Sequence, residues 1–155
     1  MVLELDDGSE LQVNEVLFAT GKAPHTERYD RRSSRCPAAL FTDPEVAKVG
    51  LTREKAVQAG YCVRTVDVEI GDLVVGAAFY ADGYAGRARI VVDADQGYLL
   101  GAALTGPGAA EPLHAATIAV ACQVPIDRLW HAAPCFPALN ELWLKLLEAY
   151  RDSLS

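Results

Sequence analysis

The sequence predicts an α+β domain in which an antiparallel sheet packs against helices. Strand-like segments precede helical ones without the regular alternation that a parallel sheet requires. The turn Asp95-Gln96-Gly97 separates the predicted strands 88–92 and 98–104, which indicates an antiparallel hairpin. Near the C-terminus, apolar residues recur at the spacing of one helix face. They are Leu139, Leu142, Trp143, Leu146, Leu147 and Tyr150.

The N-terminal segment is predicted to form a second, smaller hairpin. Residues 2–5 and 11–19 are the predicted strands, and Asp6-Asp7-Gly8-Ser9 is the turn between them, since Asp-Gly between apolar runs is typical of hairpins. Residues 22–36 are rich in arginine and poor in apolar side chains, so we expect a mobile linker there.

Three further elements complete the predicted domain. Thr52 is expected to cap a helix over residues 53–59 that ends at Gly60. A strand is predicted to run from Val63 towards Ile70. Residues 111–122 are predicted to form a helix with Pro112 in its first turn.

Composition restricts the class of protein. The chain has 155 residues, is 51% hydrophobic and carries a net charge of −7. An acidic chain repels phosphate backbones, so a nucleic-acid partner is not expected. No apolar run approaches the roughly 20 residues that cross a bilayer, so no membrane partner is expected either.

The cysteines and histidines predict neither disulfides nor a metal site. The four cysteines are Cys36, Cys62, Cys122 and Cys135, and none forms a C-x-x-C pair. A chain of this size does not need disulfides for stability, so we expect a cytoplasmic protein. The three histidines are scattered, and no metal-binding residues are predicted.

Three segments carry a family resemblance in their order and spacing. They are LFTDPEVAKVGLT at residues 40–52, GAALTGPGAAE at residues 101–111 and FPALNE at residues 136–141. Together they resemble the dimerisation domain of the pyridine nucleotide-disulfide oxidoreductases, which include dihydrolipoamide dehydrogenase, glutathione reductase and mercuric reductase. The resemblance implies the fold of FAD/NAD-linked reductase dimerisation domains, a homodimer, and FAD and NAD(P)H in the intact enzyme.

The N-terminal part adds a fourth resemblance. VLFATGKAP at residues 16–24 is similar to the A-T-G-R-x-P segment that closes the family's nicotinamide-binding domain. The resemblance implies that residues 1–36 are a remnant of that domain plus a linker, and that residues 37–155 are the dimerisation domain. The flavin-binding G-x-G-x-x-G and the redox C-x-x-x-x-C do not occur, and the expected flavin-domain segment does not follow residue 24. We expect a fragment, an internally shortened chain, or a sequence joined across missing residues.

The segment at residues 136–141 matches the family motif H-P-T-x-S-E, with Phe136 at the position of the histidine. In histidine-bearing members this motif reaches into the partner's active site, where the histidine is the acid-base for the thiols and the glutamate orients it. Imidazole titrates near neutral pH, whereas a phenyl ring carries no proton. The resemblance therefore implies that the usual catalytic histidine is lacking. Mercuric reductases also have F-P here, but their C-terminal cysteine pair is absent, which argues against mercury reduction.

Among the candidate site residues, Glu141, Cys135 and Gly21 each have two interpretations. Glu141 and Cys135 are the catalytic candidates. Alternatively, Glu141 is a first-turn glutamate favoured by the helix dipole, and Cys135 is a small packing residue. Phe136 and Pro137 are expected to close over the partner's flavin. Gly21 is a further cofactor-binding candidate because a glycine lets backbone approach a ligand, and a plain turn is its alternative.

Two functional hypotheses result. The first is the dimerisation part of an FAD-dependent NAD(P)H oxidoreductase that is inactive as this chain alone. The second is a stand-alone, non-catalytic dimeric interaction module.

Two structural expectations accompany these hypotheses. The resemblance implies a cis peptide bond between Phe136 and Pro137. Leu142, Trp143, Leu146 and Leu147 form more apolar surface than a one-sheet domain is expected to bury, so part of it should be shared between subunits.

Overall fold

The structure, a computed structural model, describes residues 2–4, 7–12 and 36–154. The chain divides into two compact units, Met1–Arg31 and Arg32–Ser155. Gly21 and most of the predicted linker lie outside the described residues.

The first unit contains the predicted N-terminal hairpin. Strands β1 (Val2–Glu4) and β2 (Glu10–Gln12) pair antiparallel, with Val2 opposite Gln12. In the turn, the Asp7 carboxylate accepts hydrogen bonds from the Ser9 amide at 2.9 Å and from the Ser9 hydroxyl at 2.5 Å. The hairpin is therefore confirmed, and the rest of its predicted second strand, residues 13–19, lies outside the described part.

The second unit is built on a five-stranded antiparallel sheet. Its strands are β3 (Ala38–Leu40), β4 (Val46–Gly50), β5 (Val63–Glu69), β6 (Arg87–Asp93) and β7 (Leu99–Thr105). Their spatial order is β3-β4-β7-β6-β5. The predicted hairpin of β6 and β7 is confirmed. Its turn is held by the buried Asp93 carboxylate, which accepts from the amides of Asp95 and Gln96 at 3.0 and 3.1 Å.

Five α-helices in the described part of the second unit pack on the sheet or connect its strands. They are α1 (Arg53–Gln58), α2 (Ile70–Leu73), α3 (Leu113–Ala121), α4 (Ile126–Leu129) and α5 (Leu142–Asp152). Two 3₁₀ turns, Val75–Phe79 and Leu139–Glu141, precede β6 and α5. The predicted cap is confirmed, since the Thr52 side chain accepts from the Lys55 amide at 3.3 Å. None of the described helices combines the length and apolar character needed to cross a membrane.

The main core lies between one face of the sheet and helices α3 and α5. Along each strand, alternate residues face this core, as in Ala47 and Val49 of β4 or Ile90 and Val92 of β6. Helix α3 packs on β4 and β7, whereas α5 packs on β5 and β6. On the opposite face a smaller cluster forms around Ala56 of α1.

The apolar face of α5 is buried within the single chain. Leu142, Trp143, Leu146 and Leu147 are all buried in the main core, which also contains residues of the sheet and of α3. The expectation that part of this surface must be shared between subunits was therefore wrong. One sheet and its flanking helices provide enough area, because α5 lies along two adjacent strands.

A close backbone approach joins the first two motif segments. Gly50 and Gly101 are register partners on β4 and β7. A Cβ on Gly50 would lie 2.2 Å from the Leu100 carbonyl oxygen, and one on Gly101 would lie 2.2 Å from that of Leu51. Gly50 also has a φ of +79°, which favours glycine.

Replacing Gly50 with Ala should destabilise the domain more than replacing Gly60 with Ala. Both residues have positive φ, +79° and +88°, but a Cβ at Gly60 meets nothing within 4 Å. Gly60→Ala should therefore lower the free energy of unfolding only through the strain of alanine at positive φ, by roughly 1–2 kcal/mol. Gly50→Ala should have the same strain and a further steric cost of about 1–3 kcal/mol. Urea unfolding of both variants measures the difference. Equal losses would contradict the close approach.

Truncating the buried face of α5 should reduce the free energy of unfolding. Leu146 is 1% exposed and Leu144, on the same helix, is 37% exposed. We expect Leu146→Ala to cost about 2–5 kcal/mol and Leu144→Ala to cost less than about 1 kcal/mol, in urea unfolding at one protein concentration. If Leu146→Ala weakened only self-association, this face would belong to a subunit interface instead.

Candidate functional site

The candidate site is the loop that leads into α5. It begins after α4 and carries Cys135, Phe136 and Pro137 before the 3₁₀ turn Leu139–Glu141. The peptide bond between Phe136 and Pro137 is cis, which confirms the prediction, and Asp43–Pro44 is a second cis bond. The Phe136 ring is 73% exposed.

Glu141 fixes the backbone of this loop. Its Oε1 atom accepts a hydrogen bond of 2.7 Å from the Ala138 amide, and the Glu141 amide donates to the Ala138 carbonyl at 3.1 Å. Ala138 directly follows Pro137, so both polar groups of that residue are held by Glu141. A carboxylate is a strong acceptor for an amide, and the bond also satisfies one free amide at the helix start.

Trp143 anchors the helix below the loop. Its indole N–H donates to the Pro112 carbonyl, 3.3 Å away, at the beginning of α3. Nearby, the Arg151 guanidinium lies over the Trp130 ring, 5.5 Å from its centroid, which is within the range of a cation–π contact.

Two apolar cavities lie beside the loop, and Trp143 lines both of them. The larger has a volume of about 250 Å³ and includes Cys135 and Asn140. The smaller, of about 180 Å³, includes Phe136 and Glu141. The structure therefore places Cys135 and Glu141 beside different cavities, although both are candidate catalytic residues.

Cys135 is exposed, which does not fit its alternative interpretation as a small packing residue, and its catalytic role stays a prediction. Within the part of the chain that the structure describes, no hydrogen bond joins it to a base. A thiol becomes a good nucleophile when a base or a positive charge favours the thiolate. The hydrogen bonds of the described residues provide no such base for Cys135. Those residues also contain no cluster of three His, Cys, Asp or Glu side chains that could hold a metal ion.

Sequence reasoning missed the contact on the other side of the loop. The 3₁₀ turn Val75–Phe79 packs against the turn Leu139–Glu141. A Cβ on Gly76 would lie 2.1 Å from the carbonyl carbon of Ala138. An isolated glycine within the apolar run LVVGAAF is a signal of close backbone approach, but the sequence does not show which segment approaches.

Residues 36–146 match the family described as pyridine nucleotide-disulphide oxidoreductase, dimerisation domain. The chain belongs to this family.

Curated relatives of this dimerisation domain are dihydrolipoyl dehydrogenases. Dihydrolipoyl dehydrogenase 2 of Haloarcula marismortui is 44% identical over 48% of the chain, and dihydrolipoyl dehydrogenase of Thermus scotoductus is 34% identical over 73% of it. These matches span 16% and 24% of the two enzymes, so the chain covers a quarter or less of their length.

A solved structure shows the same fold. The HOCl-induced flavoprotein disulfide reductase RclA from Escherichia coli superposes with a TM-score of 0.66 at 22% identity. The match covers 73% of this chain and 26% of that protein. The predicted fold class, an antiparallel sheet with helices in the arrangement of reductase dimerisation domains, is therefore confirmed.

Removing the Glu141 carboxylate should loosen the loop. Glu141→Ala deletes the charge-assisted hydrogen bond to the Ala138 amide, and such bonds contribute about 1.5–3 kcal/mol. Glu148→Ala, in the adjoining helix α5, deletes only the partly exposed ion pair with Lys145 and should cost less than about 1 kcal/mol. Urea unfolding and amide exchange at Ala138 check this. Unchanged exchange at Ala138 in Glu141→Ala would show that the carboxylate does not hold the loop.

Proposed function

We propose that this chain is the dimerisation portion of an FAD-dependent NAD(P)H oxidoreductase. Two copies would associate so that the Phe136–Pro137 loop of one copy lies against the flavin of the other. The proposal rests on the conformation and exposure of this loop in a domain of this family. Its aromatic ring is exposed at 73%, while the backbone two residues further on is fixed by Glu141.

The proposal assigns the cofactors to the intact enzyme. FAD, when bound, supplies the transfer of reducing equivalents from NAD(P)H to an acceptor. The names of the relatives, dihydrolipoyl dehydrogenase and flavoprotein disulfide reductase, support this. Of the described residues, we propose that Phe136 and Pro137 approach the flavin, since a flat, exposed phenyl ring suits contact with a flat ring system.

The proposal also concerns what residue 136 does not do. A phenyl ring cannot accept or release a proton, so acid-base chemistry on a thiol would not come from this position. Glu141 would then act by holding the loop backbone, which needs no imidazole. Cys135, exposed beside Phe136, stays a candidate thiol for the same site.

A cytoplasmic location is part of the proposal. The four cysteines are among the described residues, and all four are free and exposed. Exposed thiols persist in a reducing compartment.

Mass and colour of the protein purified from its natural source test the proposal. We expect a yellow dimer whose subunits are several times heavier than 16.6 kDa, the mass of this chain. A colourless dimer of 16.6 kDa subunits would instead support a stand-alone interaction module. A monomer at micromolar concentration would contradict self-association in either form.

Replacing Phe136 with His in the flavin-containing protein should change its pH dependence. The new imidazole titrates near pH 6.5, so the flavin absorbance or the thiol reactivity should acquire a transition near that pH. Phe41→His is the matched control, because Phe41 is also highly exposed, at 80%, but lies outside the segment 136–141. If neither variant or both variants show the transition, the loop does not approach the flavin as proposed.

A further inference from the structure

The backbone of the candidate loop also contacts the 3₁₀ turn Val75–Phe79, which is not part of any of the family motifs. Gly76 lies in the 3₁₀ turn Val75–Phe79 and is buried, as is Ala77. A Cβ on Gly76 would lie 2.1 Å from the Ala138 carbonyl carbon and 2.5 Å from both its Cα and its oxygen. The backbones of the turn and of the loop are therefore in direct contact.

Ala138 is consequently held from two directions. Glu141 binds its amide and its carbonyl by hydrogen bonds, and Gly76 lies against the same backbone atoms. Phe136 precedes Ala138 by two residues and has an exposed ring, so its position depends on the backbone that follows it.

We infer that Gly76 is a positioning residue for the Phe136–Pro137 loop. Carbon atoms in contact prefer separations of about 3.5–4.0 Å. A methyl group at position 76 would therefore move the loop or the turn by about 1.5 Å. Glycine at this position sets how close the two backbones come, and with it where the Phe136 ring lies.

The inference rests on the proposed function only for its catalytic consequence. In the intact enzyme, Gly76→Ala would displace the ring relative to the partner's flavin. A displacement on the order of 1 Å in a reacting complex can cost up to about a hundredfold in rate. We expect kcat to fall about tenfold or more, with the KM for NAD(P)H unchanged.

The direct test uses ¹⁹F NMR of the 155-residue chain labelled with 4-fluorophenylalanine. The sequence has four phenylalanines, and Phe136→Leu assigns the signal of interest. In Gly76→Ala the Phe136 signal should shift or broaden. Gly71→Ala is the matched control, because its Cβ would also clash with backbone, 2.0 Å from the Tyr84 carbonyl oxygen, but the atoms it would meet all belong to Tyr84 and none to the loop. Gly71→Ala should lose stability and leave the Phe136 signal in place.

An unchanged Phe136 signal in folded Gly76→Ala, or an equal shift in both variants, would overturn the inference. Should Gly76→Ala fail to fold, two measurements decide. The wild-type chain must show a nuclear Overhauser effect between Gly76 and Ala138. In addition, Glu141→Gln, which weakens the hydrogen bond to the Ala138 amide, must shift the Phe136 signal. The absence of either overturns the inference. A shifted signal combined with an unaffected flavin spectrum in the intact enzyme would support the positioning and contradict the proposed function.

Discussion

Helix α5 buries one apolar face against strands β5 and β6, and its first residue directly follows the turn that ends the candidate loop. Burial of a leucine such as Leu146 contributes about 1.5–3 kcal/mol, so this face gives the helix a fixed position on the sheet. Trp143 adds a polar anchor through its hydrogen bond to the Pro112 carbonyl. The C-terminal end of the loop is therefore joined to a helix with a fixed position, and the geometry of this end follows from where α5 lies.

Two contacts hold the backbone of the segment 136–141 in place beside α5. The carboxylate of Glu141, the residue just before α5, accepts a hydrogen bond from the Ala138 amide. The backbone of Gly76 packs against the Ala138 backbone. Both contacts act on backbone atoms of Ala138, and neither uses the side chain at position 136. The exposed aromatic ring is thus attached to a backbone whose shape does not depend on it.

The sequence predicted the parts of this fold that have local signals. The period of Leu142, Leu146 and Tyr150 indicated α5, Asp95-Gln96-Gly97 indicated the central hairpin, and Thr52 indicated the start of α1. Strands β3 and β4 were not predicted, because β3 has only three residues and β4 pairs along its whole length with the distant strand β7. The apolar face of α5 was assigned partly to a subunit interface, since periodicity shows that a face is buried but not what covers it. At the site, the motif identified Phe136 and Glu141, whereas the Gly76–Ala138 contact joins residues 62 positions apart and has only a weak local signal.

The contacts that hold the loop backbone do not involve the side chain at position 136. The domain can therefore accept a different side chain at this position. A histidine used for proton transfer needs its ring oriented by partners, and losing it would leave those partners unsatisfied. Here the Glu141 carboxylate already binds the Ala138 amide, so it does not require an imidazole to satisfy it. The loop can therefore keep one backbone shape with a proton-carrying or an apolar ring at its tip. In the function proposed for this chain, the apolar ring would keep the contact with the partner's flavin while the proton-transfer step is provided by another group.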